Sequence, residues 1–229
     1  MKKMLLVALV ALAALGADAQ SRFIPGTLTI QPRLGVTGAE FTNMPPYMDF
    51  GDVKIKAEPT GGLMVGVDLE YYFTDRVSLA GGIGFMQAGA GWQDFNYVED
   101  GIKARMSGLK IETAYFSIPV VANWYVAPGF ALKGGVLFGL LTKAELQSKS
   151  QVWVDGTTIT TRIGASCKSA VNKFDVSIPV GLSYEFKFPL VIDARYNFGL
   201  TKVNKDSTPG EKDSRNGVFV LSLGYKFRL

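Results

Sequence analysis

Apolar and polar residues alternate with period two through most of the chain, which marks strands with one fatty and one polar face. The pattern is sharpest at the end, where Leu221, Leu223, Tyr225, Phe227 and Leu229 alternate with Ser222, Gly224, Lys226 and Arg228. Seven earlier segments read the same way. The first carries Leu28, Ile30, Pro32, Leu34 and Val36 on its apolar face, with Pro32 suited to a bulge or to a position free of a ladder bond. Others run over 63–73, 77–91, 109–126, 130–140, 174–186 and 190–203, and the last over 218–229. The segments joining them alternate in length. Short turns fall at 74–76, 127–129 and 187–189; long excursions fall at 38–61, 92–107, 143–172 and 204–216. Within the excursions, Asp100-Gly101 and Asp155-Gly156 are two-residue hairpin signals, whereas 38–61, rich in Pro, Gly and Met, reads as a loop.

A repeat supports this register. Ser117-Ile118-Pro119-Val120 recurs as Ser177-Ile178-Pro179-Val180, and Phe138-Gly139 recurs at the same offset as Phe198-Gly199. The repeating unit is a hairpin, as a meander requires. Eight strands also place both ends of the sheet on the short-turn side, so the last can pair antiparallel with the first and leave no free edge. The expected fold is all-β: an eight-stranded antiparallel up-and-down transmembrane β-barrel with short periplasmic turns and long external loops.

Composition narrows the setting. Lys2 and Lys3, the apolar run 4–17 and Ala17-Asp18-Ala19 form a secretory signal peptide, so 1–19 is expected to be removed and 20–229 to form the barrel domain. Beyond the leader no apolar run reaches the length of a membrane-spanning helix. The single cysteine, Cys167, permits no intrachain disulfide. A net charge of +4, with no clustered basic helix, gives no case for nucleic acid. The chain contains no histidine, which removes the commonest general base and most catalytic zinc sites. Gly81-Gly82-x-Gly84 and Gly134-Gly135 lie inside strands and precede no helix, so neither is a phosphate loop. No enzymatic activity and no cofactor are expected.

Three residue sets carry the functional expectation. Strands running toward the short turns end in aromatics, Tyr71, Phe73, Trp124, Tyr184, Phe186, Tyr225 and Phe227, a girdle suited to the headgroup zone. The polar faces carry Arg33, Asp68, Glu70, Lys133, Glu185, Asp193, Arg195 and Lys226, four of each sign. Facing inward, these would form a salt-bridged plug, since eight strands enclose only enough room for side chains. A soluble lipocalin-like barrel would instead turn them to water and its apolar face inward. The 143–173 loop carries Lys143, Lys149, Arg162, Lys168 and Lys173 against Glu145 and Asp155, which would suit anionic lipopolysaccharide or simply be solvated charge.

The C-terminal residues Ser222, Gly224, Phe227 and Leu229 match the assembly signal of outer-membrane barrels, with Leu229 in the usual aromatic position. On these residues and the strand pattern the mature chain resembles eight-stranded OmpA/OmpX-type barrels and, more closely, the PorT-like outer-membrane barrel family of Bacteroidetes-type bacteria. The resemblance implies recognition by the outer-membrane assembly machinery, an outer-membrane location, and a part in secretion or envelope assembly. A narrow porin is the alternative from the transport class.

Overall fold

The computed structural model describes residues 24–42, 47–50, 53–99, 102–154, 157–205 and 213–229; the expected leader, 1–19, lies outside them. The strands are β1 (Leu28–Thr42), β2 (Tyr47–Phe50), β3 (Val53–Glu58), β4 (Thr60–Tyr72), β5 (Val77–Trp92), β6 (Phe95–Glu99), β7 (Ile102–Ala127), β8 (Phe130–Val154), β9 (Thr157–Ser166), β10 (Phe174–Glu185), β11 (Leu190–Lys202), β12 (Arg215–Tyr225) and β13 (Phe227–Arg228). Eight of them close a ring in the order β1, β4, β5, β7, β8, β10, β11, β12 and back to β1, antiparallel throughout. β13 continues β12 along β1, and the Leu229 amide donates to the Leu28 carbonyl at 2.9 Å.

Prolines mark the breaks in the ladder, because a ring nitrogen has no hydrogen to donate. The β1–β12 register stops at Arg33 opposite Gly224 and resumes at Ile30 opposite Phe227, so Pro32 occupies the gap. Pro119 and Pro179 fall in like gaps of the β5–β7 and β8–β10 ladders. The short turns also have local causes. Thr74 Oγ1 accepts from the amides of Arg76 and Val77 at 3.1 and 2.9 Å. Gly129, at φ 76°, supplies the positive φ that a turn opened by Pro128 requires.

Three of the four long excursions are largely strand: 38–61, expected as a loop, and 92–107 and 143–172, each expected to hold a hairpin. β1 runs on to Thr42, and the 38–61 segment contains the β2–β3 hairpin, whose end pairs with β5 at Ala57–Trp92 and Glu58–Gly91. Most of the 143–172 excursion is the far half of β8 and all of β9. With β6 and the first part of β7 they make a four-stranded sheet that extends the barrel wall beyond the membrane. The period-two signal fades there because neither lipid nor core fixes one face as apolar.

Side-chain burial is inverted relative to a water-soluble barrel. On the outer wall Leu34 is 63% exposed, Val65 52% and Leu223 53%, whereas inside Asp193 and Arg195 are 1% and 4% exposed. Outward apolar residues on β8 run from Leu132 to Leu140. At the strand rise and tilt of such barrels, that is roughly 20 Å of height, most of the ~25 Å apolar band of an outer-membrane barrel. The wall therefore meets hydrocarbon and the polar faces meet each other.

The candidate site: a filled polar interior

Two ion clusters, an apolar layer and a further polar group fill the barrel. Nearest the short turns, Lys226 Nζ is bonded to Glu70 Oε2 at 2.9 Å, Glu185 Oε2 at 2.7 Å and the Tyr72 hydroxyl at 2.8 Å. Glu70 Oε1 accepts from Tyr125 Oη and Asn123 Nδ2, both at 2.8 Å, and from Ser78 Oγ. Tyr72 and Tyr125 hydroxyls lie 3.1 Å apart. Glu70 and Lys226 thus gain hydrogen bonds from neutral neighbours besides their ion pairs, which burial of an ion demands.

One step further in, Asp193 bridges two cations, with Oδ1 2.7 Å from Arg195 Nε and Oδ2 2.5 Å from Lys133 Nζ. Arg33 Nε stands 3.0 Å from Asp68 Oδ2. Glycines make room for the long side chains: Arg33 is opposite Gly66 and Gly224, and Arg195 is opposite Gly181. A Cβ at Gly181 would lie 2.6 Å from the Arg195 Cβ. Beyond the charges, Met64, Met86, Tyr115, Leu137, Val218 and Val220 form an apolar layer. Above it Asp175 accepts from Asn216 Nδ2 at 2.9 Å and Thr201 Oγ1 at 3.1 Å, without a cation.

All eight charged residues singled out in the sequence point inward, and the structure gathers them into these two ion clusters. Asp175, buried among neutral donors, joins them as a fifth inward carboxylate, which adds one acid to the expected four against four. Sequence reasoning also missed Tyr72, Tyr125, Asn123 and Ser78. Parity holds the clue, since each is one residue from an outward apolar position.

The girdle aromatics lie outward at the short-turn end. Tyr71, Phe73, Trp124, Tyr225 and Phe227 are exposed and Tyr184 and Phe186 half-buried; the pairs Tyr71–Phe73, Tyr184–Phe186 and Tyr225–Phe227 have ring centroids 4.9, 5.0 and 4.7 Å apart. The four C-terminal positions separate by face. Ser222 and Gly224 point inward, with Gly224 packed under the Gln31 amide, while Phe227 and Leu229 are exposed outward. Cys167 sits partly buried between β9 and β10, where burial raises its thiol above the usual range. Among the described residues no group of histidine, cysteine or carboxylate side chains is arranged to hold a metal ion.

A closed ring with lipid-facing leucines and a salt-bridged interior defines the outer-membrane β-barrel class. The outer membrane protein beta-barrel domain pattern matches residues 18–205, and the chain belongs to that family. No curated protein matches the chain. Solved structures similar to it include the attachment invasion locus protein Ail of Yersinia pestis, 17% identical over 89% of this chain and 100% of that one, with a TM-score of 0.42. Neisserial surface protein A is 12% identical over 87% and 97%, with a TM-score of 0.39. The outer membrane protease OmpT of Escherichia coli is 10% identical over 93% and 100%, with a TM-score of 0.33.

Proposed function

We propose that the chain is a non-enzymatic outer-membrane barrel with a side-chain-plugged interior, which displays its external sheet as a binding surface. The carrying observation is the stack of two ion clusters and an apolar layer across the lumen. Such a stack fills the lumen with paired side chains, which favours a plugged barrel over an open channel. The inward charges are structural in this reading, the aromatics are an interfacial girdle, and Ser222, Gly224, Phe227 and Leu229 address the strand to the assembly machinery. Outer-membrane lipid and lipopolysaccharide are its immediate partners. The PorT-like resemblance extends the reading to secretion or envelope assembly by analogy alone.

Planar-bilayer recording of the purified, folded barrel tests the plug. The expected trace is silent at moderate voltage. Steady unitary conductance would favour the narrow porin and remove the plug.

A further inference from the structure

The external sheet carries an unbalanced cationic face. In register, Lys103 stands opposite Trp153, Ser107 opposite Lys149, and Lys149 opposite Arg162. Residues paired this way, and those two apart along a strand, share a side of the sheet. On β8 that side is the one opposite Ala144 and Ser148, which are buried, and it includes the exposed Lys143. It is therefore the upward continuation of the lipid-facing wall.

Nearby cations on this side are neutralised, Arg105 by Asp94, Lys110 by Glu112 and Lys143 by Glu145. Lys103, Lys149 and Arg162 have no carboxylate within ion-pair distance among the described residues. Lys149 and Arg162 face each other directly across β8 and β9, an arrangement that weakens a sheet unless an anion joins it. Both line a hollow of about 410 Å³, together with residues that include Ser107, Gly108 and Gln147. Trp153, beside Lys103, offers an aromatic face next to a second hollow of about 560 Å³.

Height and direction select the ligand. Lys149 lies roughly 20 Å above Leu140 if the strand tilt persists, whereas a phospholipid headgroup layer is only ~5–8 Å thick. The face also looks sideways, over the surrounding leaflet, so what stands against it is whatever projects that far from neighbouring lipids. We propose that this face binds the phosphate-bearing saccharide of outer-leaflet glycolipids, with Lys149 and Arg162 on phosphate and Trp153 with Lys103 on an adjoining sugar.

This inference rests on the outer-membrane reading above and names the site at which lipopolysaccharide is held. The test is hydrogen exchange on the full barrel in nanodiscs of phosphatidylcholine, alone or with phosphatidylglycerol, lipopolysaccharide or dephosphorylated lipopolysaccharide. Strands β8 and β9 over 147–153 and 158–164 should gain protection only with phosphorylated lipopolysaccharide. Lys149→Gln with Arg162→Gln should raise the lipopolysaccharide fraction needed for half-protection about tenfold or more, while Arg76→Gln, in a periplasmic turn, should leave it unchanged. Equal protection by phosphatidylglycerol or by dephosphorylated lipopolysaccharide, or none at all, would each overturn the proposal. Failure of the barrel to enter the discs would instead overturn the outer-membrane reading, so the two failures are distinct.

Discussion

Asp193 holds two cations at once; Asp193 and Arg195 are buried and the Lys133 side chain is only 11% exposed. Asp193→Ala would leave Arg195 and Lys133 uncompensated in the lumen, and the expected loss is about 3–5 kcal/mol, read by denaturant unfolding in bilayers. A change below about 1 kcal/mol would show that water, not the carboxylate, satisfies these cations. Glu70→Gln keeps the shape at the other cluster but removes the charge facing Lys226, so it should destabilise by a similar order while the outer wall stays intact. The positions of these charges were legible from parity alone, because Asp68 and Glu70 alternate with Val67 and Leu69 on the wall. Their partners were not, since which cation meets which acid depends on register around the ring. Asp175 was lost for another reason. It sits above the ion layers, where its hydrogen bonds come from Asn216 and Thr201, residues distant in sequence that give no charge signal.

At the scale of elements, the lipid-facing halves of the strands were readable and their outer halves were not. Between Leu132 and Leu140 every second residue must be apolar because it meets hydrocarbon. Past Leu141 that demand ends, and a bulge at Thr142 shifts the register, so β8 continues without its pattern. Hairpin chemistry was more legible: β6 and β7 pair up to Glu99–Ile102 and β8 and β9 up to Val154–Thr157, while Asp100-Gly101 and Asp155-Gly156 themselves lie outside the described residues. Two predictions belong here. Gly129→Ala, at φ 76°, strains the turn between β7 and β8 and should slow folding into lipid vesicles, measured by the boiling-dependent gel shift. The Asp94 carboxylate, held below its ordinary range first by the Gly108 amide and then by Arg105, ties the base of the β6–β7 hairpin. A depressed folded value contributes stability that is complete above the unfolded value near ~3.9 and is lost as pH falls below it. Exchange at the Gly108 amide, corrected for its intrinsic pH dependence, should therefore be unchanged from neutral pH down to about 5 and become faster in stronger acid.

For the molecule as a whole, closure and inverted burial follow from one another. A sheet with a free edge cannot sit in hydrocarbon, and a ring of eight strands leaves its polar faces only one another for partners. That is why strand count and turn alternation were enough to anticipate the architecture, while the basic 143–173 segment was legible as charge but not as one face, which depends on the register of β7, β8 and β9. The central claim is that the leucine-rich side meets lipid and the charged side does not. It is tested by placing a single environment-sensitive fluorophore at Val136→Cys, on the outer wall, or at Leu137→Cys, one residue away on the inner one, in a Cys167→Ser background in vesicles whose acyl chains carry bromine. The label at 136 should be strongly quenched and the label at 137 should not. Equal quenching at both positions, or quenching at 137 alone, would contradict the inside-out barrel.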